Sequence, residues 1–229
     1  IACGFLREGR YYLDRALARG GGGRARRRAL WACAFAASMQ GDVDIADTLA
    51  ARCHADALAD GDAQLATWAT ETQSMILAIR GDLDAAVDLM RECLTYYRGL
   101  DRVDSGLLRT ISILGVTDVM RGDLDAALAM APQCQQLYER LGERWQRSYM
   151  DYFVGMAMRG KDQPARAVEH LTAAIQTKHE FHDVVGLVIC IEPLAGAYAD
   201  LGDGERAAGL LGAAPQLWQS FGLPSFGSP

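Results

Sequence analysis

The sequence predicts an all-α fold, a superhelix of helical hairpins that repeats about every forty residues. Three observations carry this. A glycine recurs at Gly4, Gly41, Gly81, Gly122, Gly160 and Gly202, at spacings of 37, 40, 41, 38 and 42 residues. Five residues after each glycine lies a small residue: Gly9, Ala46, Ala86, Ala127, Ala165 and Ala207. No stretch alternates with the period of two that marks a half-buried strand. The plainest copies, 81–86 and 122–127, both read Gly-Asp-Leu-Asp-Ala-Ala.

Each unit reads as a leading helix, a Gly-Asp turn and a following helix. Leading helices are predicted near 26–40, 62–80, 102–121, 143–159 and 183–201. In the second of these, Leu65, Trp68, Ala69, Met75, Ile76 and Ile79 recur at three- and four-residue steps. Arg80-Gly81 and Arg121-Gly122 end two of them with a cation and a glycine, both favoured at a helix C-terminus. Following helices are predicted near 5–18, 43–58, 83–98, 124–140, 163–178 and 204–221. Asp82 or Asp84 caps the third, and Ala86, Leu89, Met90, Cys93, Leu94 and Tyr97 share its apolar face. Pro164 suits a helix start, whereas Pro132 and Pro193 fall inside helices and predict a kink or break. The first unit lacks a leading helix, so the apolar face of 5–18 calls for a cover from further chain or from a second copy. The chain starts at Ile1 and ends in a Gly-, Pro- and Ser-rich segment, 222–229, and reads as one repeat domain, 1–229, cut from a longer protein.

Half of the 229 residues are hydrophobic, and the net charge of −6 speaks against direct nucleic-acid contact. No run of eighteen apolar residues exists to span a membrane, and no secretory signal is visible. Cys53, Cys93 and Cys134 each follow their repeat glycine by twelve residues, in a slot that holds Ala16, Thr172 and Ala214 elsewhere. Such a slot wants a small, mostly apolar side chain, not a disulfide or a metal. Cys3, Cys33 and Cys190 are off this register, and the thiol usage points to a reducing cytoplasm.

The forty-residue units with Gly-Asp-x-x-x-Ala turns resemble tetratricopeptide-like arrays, although they exceed the thirty-four-residue consensus and lack its Trp and Tyr register. They look more like the C-terminal superhelical region of bacterial ATPase-type transcription regulators of the LuxR and maltose-regulator kind. Glu8-Gly9-Arg10-Tyr11-Tyr12-Leu13-Asp14-Arg15-Ala16-Leu17 is similar to the first unit of that region. Arg206-Ala207-Ala208-Gly209-Leu210-Leu211-Gly212-Ala213-Ala214, with Leu217-Trp218 and Phe221-Gly222-Leu223-Pro224, is similar to the last. The resemblance implies a right-handed superhelix of about five and a half hairpins. It also implies a parent with an upstream nucleotide-binding ATPase domain and often a downstream helix-turn-helix. In some actinobacterial relatives a cyclase-like domain comes first.

Catalytic signatures are missing: there is no Gly-x-Ser-x-Gly elbow and no His-Glu-x-x-His helix. Gly20-Gly21-Gly22-Gly23-Arg24 lacks the Gly-Lys-Ser/Thr ending of a phosphate loop and reads as a mobile connection. Arg24, Arg26, Arg27 and Arg28 then read as a solvated helix start. His179 and His182, with Glu180 and Asp183, are too few for a metal centre without a second cluster. No cofactor, metal or catalytic residue is expected. The candidate binding surface is a ladder on the leading helices. Thirteen residues before the repeat glycine stand Trp68, Arg109 and Arg147, and ten before it stand Trp31, Glu71, Ser112 and Glu192. These positions share a helix face, and Tyr149, Asp151 and Tyr152 lie close by. Aromatic and arginine side chains suit a groove for a small effector or a peptide. The same residues equally suit packing (the tryptophans) and solvation (the arginines).

The expected function is therefore a non-catalytic effector-sensing or protein-interaction module of a LuxR-type regulator. The alternative is a general scaffold that binds a partner protein or peptide, or self-associates through its first helix as a homodimer.

Overall fold

The computed structural model describes residues 6–101 and 104–221. Among them there are eleven α-helices and no strand. Gly4 and Cys3 lie outside the described residues, as does the segment 222–229. The helices group into two compact units, which divide between Asp104 and Ser105.

The first unit holds α1 (Leu6–Ala18), α2 (Gly23–Met39), α3 (Val43–Ala59), α4 (Ala63–Ile79) and α5 (Leu83–Arg98). Each helix packs on the next, and the leading helices α2 and α4 also touch. Its core is built around Leu30, Cys53, Ala57, Leu65, Ala66 and Ala69. The second unit holds α6 (Ser105–Arg121), α7 (Leu124–Leu141), α8 (Trp145–Gly160), α9 (Pro164–Glu180), α10 (Val184–Asp200) and α11 (Gly204–Phe221). Here α6, α8 and α10 are the leading helices, and each packs on the next. Val188, Ile191, Ala214 and Trp218 form the core between α10 and α11.

The turns follow from backbone chemistry. Gly41, Gly81, Gly122 and Gly202 have φ of 79, 85, 87 and 80°, the left-handed region open to glycine. In each turn the next residue's N–H reaches back to a carbonyl of the leading helix. For example, Asp82 N donates to Leu77 O at 2.9 Å and Asp123 N to Asp118 O at 2.9 Å. This bond closes the helix end in a Schellman arrangement. In three of these turns the aspartate side chain then caps the next helix: Asp82 accepts from Ala85 N, Asp123 from Ala126 N and Asp203 from Arg206 N, whereas Asp42 pairs with Arg10 instead. Of the two candidates, Asp82 is thus the cap and Asp84 is not.

Gly160 departs from this rule. It is the last residue of α8, packed where a Cβ would meet Leu124 Cδ1 at 2.8 Å. The left-handed turn residue of this repeat is Asp162, at φ 58°. The repeat register therefore slips by two residues, hidden by a glycine that serves close packing instead. Counted from Asp162, the small-residue slot is Ala167, fully buried, and not the exposed Ala165. The cysteine slot becomes Ala174, and with Cys53, Cys93, Cys134 and Ala214 every member from the second unit onward is buried. Gly9 and Ala16 of the first repeat are exposed.

The prolines break nothing: α7 runs through Pro132, α10 through Pro193 and α11 through Pro215. The basic segment after the four glycines is tied down. Arg24 pairs with Asp62 at 2.7 Å, Arg27 pairs with Asp60, and Arg26 donates to Leu17 O at 2.9 Å.

Burial pushes the thiols of Cys33, Cys134 and Cys190 up to about 12 and that of Cys53 up to about 11. Thiolate is the reactive form, so these four and the buried Cys93 should be inert in the folded chain. Titration with a disulfide reagent at pH 8 should release colour from these five only after denaturant is added. Fast reaction of more than one equivalent in native buffer would contradict the packing.

Candidate functional site

In the first unit the structure brings Trp31 and Trp68 together. Their rings lie 4.8 Å apart between centroids, and both pack on the core formed by α2, α3 and α4. Glu71, one turn beyond Trp68, is 2% exposed and offers a partner no surface.

In the second unit the slipped register rearranges the ladder. Thirteen residues before Asp162 stands Tyr149, and ten before it stands Tyr152, so Arg147 is not the equivalent of Trp68 and Arg109. Arg147 is exposed and lies 3.9 Å from Asp151. Asp151 is itself buried and meets His170 Nδ1 at 3.1 Å, joining α8 to α9. Ser112 is buried and shares a hydrogen bond of 3.2 Å with the Tyr138 hydroxyl. Arg109 is half-buried.

Tyr149 belongs to a polar cluster that ties α8, α9 and α10 together. Asp183 caps α10 by accepting from Gly186 N at 2.9 Å. Its other oxygen accepts from Trp145 Nε1 at 2.9 Å and from the Tyr149 hydroxyl at 2.8 Å. Lys178 is fully buried, with Nζ 3.1 Å above the Tyr149 ring centroid and 3.8 Å from Asp183 Oδ2. That ammonium has no hydrogen-bond acceptor. Burial lowers its pKa from 10.5 to about 8, against the opposing pull of Cys190 and Asp183. Burial likewise holds the Tyr149 and Tyr152 hydroxyls well above the ordinary tyrosine range. The cluster contains an amine and a carboxylate but both are closed to solvent, so the arrangement bolts helices together.

The His179 to Asp183 segment is the turn into α10. His182 takes the left-handed position at φ 52°, Glu180 pairs with Arg144, and Asp183 points inward to Trp145 and Tyr149. Among the described residues no group of three or more His, Cys, Asp or Glu could hold a metal ion. Among the described residues no helix is long and apolar enough to cross a membrane.

An open groove of about 560 Å³ lies on the leading helices of the second unit. Val119 of α6, Met156, Arg159 and Gly160 of α8, and Glu192, Pro193 and Asp200 of α10 line it. Of the ladder residues only Glu192 is among them. The groove sits nearer the Gly-Asp turns than the ladder does. Arg159 marks it in sequence only once the turn is placed at Asp162: Val119 and Arg159 then both stand three residues before their turn. Arg159 bonds Asp200 across the groove, Nε to Oδ2 at 2.6 Å.

No known family profile matches the chain, and no curated protein matches it. Solved structures do. The nearly identical TPR-like repeats of a putative kinesin light chain from Podosopora anserina superpose with a TM-score of 0.59 at 16% identity, covering 88% of this chain and 99% of theirs. A point variant of the same repeats gives 0.60 at 16% identity, over 87% of this chain and 97% of the other. BtubC (BKLC) from P. vanneervenii gives 0.61 at 13% identity, over 96% and 90%. At these identities the likeness establishes the fold: an all-α array of TPR-like helical hairpins.

Proposed function

We propose that this chain is a protein-interaction scaffold whose second unit holds an extended segment of a partner in the groove on α6, α8 and α10. The observation that carries the reading is the form of the groove. It is open, lined by Val119, Met156 and Pro193 together with charged groups, and formed by three successive leading helices. An enclosed pocket would suit a small effector; an open trough along stacked repeats suits a peptide. TPR-like repeats generally bind protein partners, which supports the same reading. The inward-facing polar groups of the unit are engaged in holding helices together, so they supply no catalytic constellation.

The wider context we propose is a LuxR-type transcription regulator. The segments 8–17 and 206–224, similar to the first and last units of such proteins, support it. Partner or effector binding would then shift the equilibrium between resting and active states of the parent. The coding sequence on either side tests this: a phosphate-binding loop upstream and a helix-turn-helix downstream are expected, and neither being present would sink the regulator reading.

The scaffold reading is tested at Met156. A photo-crosslinking residue placed there in the native host should trap a partner protein, whose peptide is then measured by calorimetry. Met156→Lys puts a positive charge into the groove lining in place of apolar surface and should weaken that peptide by tenfold or more, about 1.4 kcal/mol, with an unchanged far-UV spectrum. Equal affinity for the folded variant would remove the groove as the binding site.

A further inference from the structure

We infer that the occupant of this groove is a cationic segment, with a Lys or Arg side chain of the partner seated on Glu192; this rests on the reading of the groove as a peptide site. The charge arrangement decides the sign. Three ionisable side chains line the groove, two acidic and one basic. The basic one is already committed: the Arg159 guanidinium holds Asp200 through Nε at 2.6 Å and a second nitrogen at 3.5 Å. Gly196 makes this possible, since a Cβ there would lie 2.4 Å from Arg159 Cζ, and the guanidinium rests against α10 in that space. Glu192 is exposed and makes no hydrogen bond or ion pair with a described residue.

Glu192, Gly196 and Asp200 follow one another at four-residue steps, so they form a stripe on one face of α10. Asp200 and the Arg159 guanidinium over Gly196 fill one end of that stripe. The other end is left with an unanswered carboxylate. An anionic partner would have to pull Arg159 from Asp200 before it found a cation here, and would meet Glu192 as well. A cationic one loses nothing. Pro193 follows Glu192 directly, and with Met156 and Val119 of the same lining it supplies apolar surface, which suits the methylene stem of Lys or Arg while its head reaches the carboxylate. The chain's net charge of −6 attracts such a segment from a distance.

The test uses a phage-displayed library of random dodecapeptides selected on the whole chain, with affinities of the selected peptides measured by fluorescence anisotropy. Selected peptides should be rich in Lys or Arg. Glu192→Gln, which keeps the shape and removes the charge, should weaken them about tenfold and flatten their salt dependence. Glu169→Gln, an exposed acid on α9, should leave them unchanged and so separates a seated cation from general attraction. Peptides that are not basic, or that bind Glu192→Gln as tightly as wild type while Met156→Lys abolishes them, would overturn the cationic occupant and leave the peptide groove standing. Selected peptides indifferent to both Glu192→Gln and Met156→Lys, or no peptides at all, would overturn both.

Discussion

Lys178→Met is expected to stabilise the chain by about 3 kcal/mol at pH 7, a gain that fades as the pH rises from about 8 to 10.5. The wild-type amine is fully buried and its pKa falls from 10.5 to about 8. At one pKa unit per 1.36 kcal/mol, that depression is a penalty on the charged folded state of about 3 kcal/mol. The sign follows from proton binding. Between about 8 and 10.5 the unfolded chain holds the Lys178 proton and the folded chain does not, so wild-type stability from this group rises with pH. Below about 8 both states hold it, and the penalty is complete. Methionine never incurs it, so the two stability curves should converge at high pH. Cys190 and Tyr149 stay protonated in the folded chain at pH values where the unfolded chain begins to ionise them, so they lower the stability of both proteins as the pH rises, but this contribution is common to the two curves and cancels in the gap between them. Asp183 keeps three donors without the lysine, namely Gly186 N, Trp145 Nε1 and the Tyr149 hydroxyl. Replacing a buried ion by an apolar side chain of similar volume is commonly neutral or stabilising. Urea unfolding of both proteins at pH 7 and pH 10 decides it. A less stable variant at pH 7, or a gap that does not narrow with pH, would mean that the ammonium is better compensated than its geometry implies.

The second large effect is expected at Gly155. Two terms compete when it becomes alanine. Inside a helix, Ala is favoured over Gly by up to about 1 kcal/mol. Against this, the new Cβ would stand 2.6 Å from Leu171 Cγ and 3.3 Å from the Ala167 carbonyl oxygen. Leu171 is fully buried, and the backbone of α9 is held by its own hydrogen bonds, so neither can move away freely. Overpacking of this kind costs about 1–3 kcal/mol and separates α8 from α9. Gly155→Ala should therefore destabilise by about 1–2 kcal/mol net. Gly9→Ala, where nothing lies within 4 Å, should instead stabilise by about 0.5–1 kcal/mol. Denaturant midpoints of both variants check the pair. Stabilisation by Gly155→Ala would show that α8 and α9 are not in close contact at that point.

Most of the fold was legible in the chain itself. The predicted helices fall within a few residues of those observed, because the Gly-Asp turns announce themselves: glycine is the residue that takes φ near 80° without strain, and the aspartate after it caps the next helix. The fifth turn was not legible for the same reason in reverse. Asp162 adopts a conformation that residue type alone does not advertise, while Gly160 two residues earlier imitates the marker. Every position counted from Gly160 is displaced with it. That count places Arg147 in the ladder, and it hides Lys178. Sixteen residues after the true turns stand Ala57, Tyr97, Tyr138, Lys178 and Trp218, all buried. Counted from Gly160, the same slot falls on Gln176 and the lysine goes unnoticed.

By itself, then, the sequence determined the all-α repeat, the turn positions in four of the six units, and in those four the burial of the small-residue and cysteine slots. These depend on local backbone preference and on periodicity, which a single chain displays directly. Only the tertiary structure decided which faces remain free. Trp31 and Trp68 are both on helix faces that sequence alone leaves open to either role, and packing turned them into each other. Glu71, Ser112 and Asp151 are polar yet buried, while Arg159 and Asp200, forty-one residues apart, meet across a groove. Burial and pairing are properties of neighbours one repeat away, set by how the helices stack, and that is why the candidate site shifted while the fold did not.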